Sequence, residues 1–348
     1  MKTDELQIEH YDFSLPEDLI AQDALPNRES SRMMVIDRNS RSFSDRRFSD
    51  ITGLLRAGDV LVINNTKVFP ARLNGMLESG GQIELLLEHE VSPMVWKTLA
   101  RPAKRLKEGK TVHFGNGLRA DVVEKTESGS VLVRFECEGD FDVVLESIGR
   151  TPLPPYIKRD MAAPDEDRIR YQTVYAKERG SIAAPTAGLH FTPDVLTALT
   201  EKGVEIVEVT LHVGYGTFAP VRAESLSTHT VSGERCEITE GAADSVNRAK
   251  EQGRRVIAVG TTSTRSLESF ADESGRLIAG RRIADLTITP GYRFKVIDGL
   301  LTNFHLPMSS LLVLVTTFGG YDLVMGAYRH AVSERYRFYS YGDCMLIE

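Results

Sequence analysis

Two histidines stand beside loop segments that could bind a ligand, and histidine is the side chain that most readily exchanges a proton near neutral pH. His190 ends the segment GSIAAPTAGLH, in which the small residues from Gly180 to Gly188 would let a backbone approach a ligand closely. His305 lies just before Pro307, where we expect a helix to begin. Each histidine could act as an acid or a base, or could be a hydrogen-bonded residue of the core.

A run of hydroxyl residues follows a predicted buried strand, RRVIAV, that ends at Gly260. We expect the next helix to begin near Ser266, so that these hydroxyls lie in the turn before it. Backbone N–H groups and hydroxyls in such a turn could bind a carboxylate, with Arg265 as a partner for its charge. The alternative is an ordinary helix cap, worth about 1 kcal/mol. The hydroxyl residues are Thr261, Thr262, Ser263 and Thr264.

Other residues narrow the possible chemistry. The aromatic rings of Tyr292 and Phe294 could stack on a purine base or could fill the core. The histidines and cysteines have no metal-ligand spacing, so we predict no metal site. The chain also lacks a G-x-G-x-x-G fingerprint, a P-loop and a nucleophile elbow, which argues against dinucleotide binding, nucleotide hydrolysis and acyl transfer.

The composition is that of an ordinary globular protein of 348 residues, with 41% apolar residues and a net charge of −7. The negative charge argues against sequence-blind binding to nucleic acid, which needs clustered cations. The three cysteines form neither a C-x-x-C pair nor a disulfide framework, as is usual in a reducing compartment. No secretory signal is visible, and the longest dense apolar run, 311–315, is far shorter than the roughly 20 residues that cross a bilayer. We therefore expect a cytoplasmic protein that does not enter a membrane.

One basic patch departs from the negative average. The segment RPAKRLKEGK, residues 101–110, contains five cations, among them Lys104 and Arg105, and a single acid. Such a patch could contact the phosphates of a nucleic acid, or it could be a solvated loop of a β-barrel.

Short strands broken by turn residues run from Leu73 to about Phe141, which predicts a small all-β unit. In the segment VLVRFE, Val131, Val133 and Phe135 share one face, as in a strand with one buried side. A compact barrel is the expected form, because closure removes the exposed strand edges of a small open sheet.

The remainder of the chain alternates strands with helices, which predicts a layered α/β arrangement. The proline-rich segment 149–159 is unsuited to ladder pairing and would lead back from the barrel. A buried strand, GDVLVIN, also precedes the barrel. We therefore predict a discontinuous layered α/β domain, residues 1–70 plus 153–348, with an inserted small β-barrel domain at residues 71–152.

Eight segments along nearly the whole chain resemble those of the S-adenosylmethionine:tRNA ribosyltransferase-isomerase family. Each segment is distinctive, and eight in one order make an accidental match very improbable. The segments are YDFSLPEDLIAQ, GDVLVINNTKVFPARL, RTPLPPYIKR, RYQTVYAKERGSIAAPTAGLHF, VTLHVGYGTFAPV, VGTTSTRSLES, PGYRFKVIDGLLTNFHLP and ERYRFYSYGD.

The resemblance implies a step of queuosine synthesis. The ribosyl group of S-adenosylmethionine moves to 7-aminomethyl-7-deazaguanine at the wobble position of tRNA, and the products are epoxyqueuosine, adenine and methionine. The resemblance also implies a monomer in which an α/β domain carries a small β-barrel, with S-adenosylmethionine as co-substrate and no bound prosthetic group. The alternatives are an S-adenosylmethionine-dependent methyltransferase and a noncatalytic tRNA-binding protein.

The family motifs and the residue types together suggest roles for single side chains. Arg265 would hold the methionine carboxylate, Tyr292 would face the adenine, and one cleft between sheet and barrel would hold the reacting groups, with His190, Arg265 and His305 in it. The candidate catalytic residues are His190, His212, Glu234 and His305. The candidate S-adenosylmethionine-binding residues are Thr186, Gly188, Thr261, Thr262, Ser263, Arg265, Tyr292 and Asn303. The candidate tRNA-binding residues are Lys104, Arg105, Lys158 and Arg159.

Two positions depart from the family pattern. Ser232 stands where a second histidine is usual, and Asn65 stands where an acid is usual. We therefore expect no histidine chemistry at residue 232 and no carboxylate role at residue 65.

Overall fold

The computed structural model describes residues 3–126, 129–160, 165–218, 221 and 223–348. The strands are β1 (Arg32–Asp37), β2 (Ser42–Arg47), β3 (Val60–Asn64), β4 (Thr66–Val68), β5 (Arg72–Leu77), β6 (Gln82–Ser92), β7 (Val95–Arg101), β8 (Thr111–His113), β9 (Arg119–Lys125), β10 (Val131–Glu136), β11 (Glu178–Ser181), β12 (Glu205–Leu211), β13 (Glu234–Ile238), β14 (Val256–Val259), β15 (Gly280–Ala284), β16 (Gly299–Asn303) and β17 (Cys344–Ile347). The α-helices are α1 (Ile51–Leu54), α2 (Phe141–Ile148), α3 (Asp167–Arg170), α4 (Pro193–Glu201), α5 (Glu240–Glu251), α6 (Gly260–Phe270), α7 (Ser310–Gly319) and α8 (Tyr321–Ser333).

Nine strands form one mixed sheet in the order β15, β13, β12, β3, β14, β16, β17, β1, β2. The neighbours β12, β3, β14 and β16 run parallel to one another, whereas β17 is antiparallel to β16. Parallel strands in the middle of a sheet are covered on both faces and consist of continuous apolar runs. All five residues of β3 are buried, so the strand predicted from GDVLVIN is confirmed.

Helices cover both faces of this sheet, and alternate residues of one strand pack into different layers. Val60 and Val62 of β3 share a buried cluster with residues of α5, α6, α7 and α8. Leu61 and Ile63 share a second cluster with residues of α1 and α4 on the opposite face. Each fully buried Val, Leu or Ile stabilises the fold by about 1.5–3 kcal/mol, so these two clusters hold the three layers together.

The strands between residues 72 and 136 form a closed barrel in the order β10, β7, β6, β5, β8, β9. Its core contains Val131, Val133 and Phe135, the face that the alternation predicts to be buried. The predicted fold class, layered α/β with a small β-barrel, is confirmed. The exact division into domains at residues 71 and 152 stays a prediction.

The α6 helix begins at Gly260, and not near Ser266 as the sequence suggested. Gly260 has a φ of +86°, in the left-handed region, so the chain turns directly from β14 into the helix. The hydroxyls of Thr264 and Ser266 donate to carbonyls four residues earlier, as hydroxyls inside helices do. The run of hydroxyl residues therefore belongs to the helix itself and not to a preceding loop.

Hydroxyl caps fix two other helix starts. Thr192 caps α4, which begins at Pro193. Ser309 caps α7, which therefore begins at Ser310 and not at Pro307. Within the described ranges no single helix is long and apolar enough to cross a membrane; α7 and α8 meet that test only as a pair, and they are bent by 118°.

The carboxyl ends of the four parallel strands meet at one edge of the sheet, here called the carboxyl edge. They are Leu211 of β12, Asn64 of β3, Val259 of β14 and Asn303 of β16. The side chain of Asn64 joins two of these ends, because its amide donates to the Leu211 carbonyl at 3.0 Å and its oxygen accepts from the Leu211 N–H at 3.1 Å. Ligands of open α/β sheets bind outside this edge, so we expect a site here.

Candidate active site

A cavity of about 430 Å³ opens at the carboxyl edge, and we call it the edge cavity. Its walls come mainly from the first turn of α6, the end of β16, and the segments 184–187, 304–309 and 339–340. Cavities of about 300–1,000 Å³ are large enough to hold small-molecule ligands. None of the described residues of the barrel strands lines the edge cavity.

Several of the predicted site residues line the edge cavity together. Two of them, Thr261 and Thr262, belong to the first turn of α6. The unpaired N–H groups of that turn and the positive end of the helix dipole are therefore close to the cavity, where they would stabilise an anion. The predicted residues in the lining are Thr186, Thr261, Thr262, Asn303 and His305.

An aromatic wall of the edge cavity was missed by the sequence analysis. It consists of Tyr156, Phe304 and Tyr339. The ring centroids of Tyr156 and Tyr339 are 3.9 Å apart, and the Tyr156 hydroxyl is 2.5 Å from that of Ser340. Tyr339 has a φ of +74°, a conformation that costs about 1–3 kcal/mol in a residue other than glycine and that concentrates at functional sites. The available sequence signals were the three family-like segments that contain these rings, RTPLPPYIKR, PGYRFKVIDGLLTNFHLP and ERYRFYSYGD.

Two of the candidate catalytic histidines are buried in neighbouring cavities. His305 lines the edge cavity, with Nε2 3.1 Å from the Thr302 hydroxyl, and burial lowers its pKa to about 3. His190 lines a second, small cavity, with Nδ1 2.9 Å from the Ser31 hydroxyl, and burial lowers its pKa to about 4. Ser340 lines both cavities. Both rings are therefore neutral near pH 7, able to accept a proton but not to donate one as imidazolium.

His212 follows β12 and faces the glycine-rich segment. Its Nδ1 is 2.8 Å from the Thr66 hydroxyl, and burial lowers its pKa to about 4. A Cβ at Gly180 would lie 2.8 Å from the His212 ring, and a Cβ at Gly188 would overlap the Tyr175 hydroxyl. These two glycines therefore make room for neighbouring side chains, while the close approach of a ligand to this segment stays a prediction.

Arg265 and Glu234 form a buried ion pair, with 2.6 Å between Nη1 and Oε2. Arg265 also donates to the Ala284 carbonyl at 2.8 Å and lines a separate cavity of about 30 Å³. The expectation of one cleft that holds His190, Arg265 and His305 is wrong, because each of the three lines a different cavity. The physical reason is the early start of α6, which places Arg265 inside the helix, beside β13 and β15.

The remaining candidates lie outside the edge cavity. Ser263 is fully buried in α6, and the Tyr292 hydroxyl donates to Glu268 at 2.9 Å. Lys158 and Arg159 each form an ion pair with a carboxylate. In the part of the chain that the structure describes, no group of three or more His, Cys, Asp or Glu could hold a metal ion.

The basic patch lies on the surface of the barrel. Lys104 and Arg105 occupy an exposed turn after β7. Arg105 also lines an open groove on the barrel, together with Arg101 and His113. The groove and the edge cavity share no lining residue.

A model of the family described as queuosine biosynthesis protein matches residues 8–347. The chain belongs to this family. It is 52% identical to the S-adenosylmethionine:tRNA ribosyltransferase-isomerase of Desulfitobacterium hafniense and 51% identical to that of Syntrophotalea carbinolica, in each case over 98% of this chain and 100% of the relative. The crystal structure of S-adenosylmethionine tRNA ribosyltransferase from Thermotoga maritima matches 97% of this chain and 100% of its own, with 34% identity and a TM-score of 0.55. The family membership that the eight segments indicated is confirmed.

The two positions that depart from the family pattern, Asn65 and Ser232, each take part in hydrogen bonds. The Asn65 amide donates to Glu208 at 2.8 Å, and its oxygen accepts from the Thr210 hydroxyl at 2.7 Å. An acid at residue 65 would face the Glu208 carboxylate, so the neutral amide avoids a repulsion between like charges. The backbone carbonyl of Ser232 accepts from Arg265 at 3.3 Å, a contact that does not depend on the side chain at residue 232.

Proposed function

We propose that this chain transfers and isomerises the ribosyl group of S-adenosylmethionine onto 7-aminomethyl-7-deazaguanine in tRNA, giving epoxyqueuosine with release of adenine and methionine. Relatives named for this transfer match the chain over almost its entire length. The edge cavity supports the proposal, because it combines a helix N-terminus, an aromatic wall and a buried histidine at the edge where open α/β sheets bind ligands.

In this proposal the edge cavity binds S-adenosylmethionine. The first turn of α6 holds the methionine carboxylate, since the N-terminus of a helix stabilises an anion. The rings of Tyr156 and Tyr339 pack on the adenine, which offers them a flat apolar surface. These assignments replace the roles expected for Arg265 and Tyr292, whose polar groups are bonded to buried carboxylates.

The chemistry begins at C5′ of the donor, next to the positively charged sulfur. The sulfonium withdraws electrons, so a positioned base can remove a C5′ proton, and His305, which lines the edge cavity, is the candidate for that base. Once it has taken up that proton, His305 could return it to the adenine as that base leaves the sugar. The attacking amine of the tRNA base must be neutral, and a desolvated pocket lowers its pKa as required.

The proposal includes the setting of the reaction. The substrate base is the wobble base of tRNA, and the protein acts as a cytoplasmic monomer, without a membrane or a bound prosthetic group. The barrel, residues 71–152, is a domain inserted into the α/β domain of residues 1–70 and 153–348. The exposed cations Lys104 and Arg105 contact tRNA phosphates, and their loss should flatten the salt dependence of tRNA binding.

Incubation with S-adenosylmethionine and with tRNA that carries the 7-deazaguanine precursor tests the reaction, followed by mass analysis of the nucleosides and small products. We expect free adenine, free methionine and epoxyqueuosine in the tRNA. S-adenosylhomocysteine would instead identify a methyltransferase. Binding of tRNA without any turnover of the donor would identify a noncatalytic binding protein.

A further inference from the structure

Two arginines beside the small cavity that contains His190 are bonded to backbone carbonyls and, among the described residues, to no carboxylate. Arg28 and Arg170 both line this cavity and are both half-buried. Arg28 donates to three carbonyls at 3.1–3.4 Å, and Arg170 donates to two carbonyls in the segment 25–26. The two guanidinium groups are thus held in place by the backbone, and within the described ranges neither forms an ion pair.

The two positive charges repel each other. Burial is the main cause of the lowered pKa of Arg28, and the charge of Arg170 lowers it further. Each guanidinium has five N–H donors, of which the carbonyls take three from Arg28 and two from Arg170, so both keep unused donors. An anion that bound both groups would neutralise the repulsion and would gain strong charge-assisted hydrogen bonds.

This cationic pair lies close to the edge cavity. Ser340 and His190 line the small cavity together with Arg28 and Arg170, and Ser340 also lines the edge cavity. An anion bound by the pair would therefore be a neighbour of the proposed donor. The carboxylate of the donor has a separate partner, the N-terminus of α6, so the pair is available for the second substrate.

We propose that Arg28 and Arg170 bind a phosphodiester group of the substrate tRNA, beside the nucleotide whose base enters the edge cavity. The planar guanidinium group matches phosphate oxygens in two-point hydrogen bonding. The donor carboxylate is assigned to the N-terminus of α6, which leaves a tRNA phosphate as the anion for this pair. The inference rests on the proposed function, because it takes the ligand to be RNA. It adds a contact at the site of reaction to the surface contacts expected of Lys104 and Arg105.

The test compares charge-removing and charge-keeping variants of Arg170, which donates to fewer carbonyls than Arg28. For Arg170→Gln we expect about tenfold weaker tRNA binding at low salt, unchanged affinity for S-adenosylmethionine, and a salt slope of log K reduced by about 0.7–0.9. Arg170→Lys should keep most of the salt slope of tRNA binding, because lysine keeps the positive charge. Arg276→Gln is the matched control, since Arg276 is exposed and paired with Glu251, and it should behave like the wild-type protein.

The outcomes distinguish a failure of the phosphate site at Arg28 and Arg170 from a failure of the proposed ribosyl transfer. A folded Arg170→Gln protein with the wild-type salt slope would overturn the site, whether or not the wild-type protein releases adenine. A reduced slope in a protein that releases no adenine would support the site and overturn the reaction. A second experiment titrates inorganic phosphate against bound tRNA at constant ionic strength. If phosphate displaces tRNA from the wild-type protein and does so less well from Arg170→Gln, the pair is a phosphate site for tRNA. If phosphate binds without displacing tRNA, the pair binds a free anion and the proposal is overturned. The melting temperature of each variant shows that it is folded.

Discussion

Nη1 of Arg265 lies 2.6 Å from Oε2 of Glu234, and the two side chains are only 7% and 3% exposed. Glu234 also accepts the backbone N–H of Gly214 at 2.9 Å, and Arg265 donates to the Ala284 carbonyl at 2.8 Å. The pair therefore joins α6, β13 and β15 to the loop that follows His212. It fixes the position of that loop relative to the carboxyl edge.

Arg265→Ala is expected to lower the free energy of unfolding by about 3–5 kcal/mol, because Glu234 would remain buried without its partner. Urea unfolding measures this loss. Glu234→Ala should cost a similar amount, and the double variant should cost less than the sum of the two single variants.

Arg276→Ala is the control for that experiment, since its ion pair with Glu251 is exposed and should contribute at most about 1 kcal/mol. A contrary result would be a stable Arg265→Ala protein with much weaker binding of S-adenosylmethionine. Arg265 would then hold the donor carboxylate, as the sequence suggested.

Sequence patterns within a few neighbouring residues predicted the strands whose structure depends mainly on those residues. The alternation in residues 131–136 identified a barrel strand, and the apolar run in GDVLVIN identified a buried strand of the sheet. The partner of Arg265 was not predictable, because Glu234 is 31 positions away and meets it only when β13 packs beside α6. The left-handed conformation of Tyr339 was not predictable either, because a tyrosine disfavours it and only the surrounding structure imposes it.

Some residues of the candidate site could likewise be predicted from the sequence, and others could not. Thr261 and Thr262 could be identified because they follow a buried strand, and parallel strands bring their carboxyl ends to one edge. Asn303, the last residue of β16, was identified through a family-like segment. The segments 155–156 and 339–340 could not, because they reach the cavity through irregular chain whose path no periodicity reveals.

Tyr339→Ala is expected to weaken the binding of S-adenosylmethionine about two- to tenfold, because the loss of an aromatic contact costs about 0.5–1.5 kcal/mol and 1.4 kcal/mol corresponds to a factor of ten. Tyr339→Phe is the matched control, since it keeps the ring beside Tyr156. Equilibrium dialysis with labelled donor measures both affinities. Equal affinities of the two variants would contradict an aromatic wall that contacts the donor.

Gly188→Ala distinguishes packing from ligand approach in the glycine-rich segment. The new Cβ would overlap the Tyr175 hydroxyl and lie 2.8 Å from Thr173 Cγ2, so we expect a loss of about 1–3 kcal/mol in the free energy of unfolding. Gly241→Ala is the control, because no atom lies within 4 Å of its Cβ position in α5 and alanine favours helix by up to about 1 kcal/mol. A Gly188→Ala protein of normal stability that no longer binds the donor would restore the ligand-approach role.

The buried histidines predict a loss of stability in mild acid. Burial lowers the pKa of His190 to about 4 and that of His305 to about 3, from a value near 6.5 in the unfolded chain. Folding therefore excludes protons from both rings, and the unfolded state binds more protons than the folded state below pH 6.5. The stability is fully present above that pH and is lost as the pH falls toward 4.

Urea unfolding at several pH values between about 7 and 4.5 measures how the free energy of unfolding depends on pH. Histidine variants then separate the contribution of the buried rings from that of the carboxyl groups. We expect the wild-type protein to lose several kcal/mol over this range, since one pKa unit corresponds to about 1.4 kcal/mol. His190→Asn and His305→Asn should each show a shallower dependence, because an asparagine takes up no proton. His113→Asn, on the exposed surface of the barrel, should keep the wild-type dependence. Parallel curves for all four proteins would contradict a contribution of His190 and His305 to the acid sensitivity, which would then come from other groups, such as His212 and the carboxyl groups.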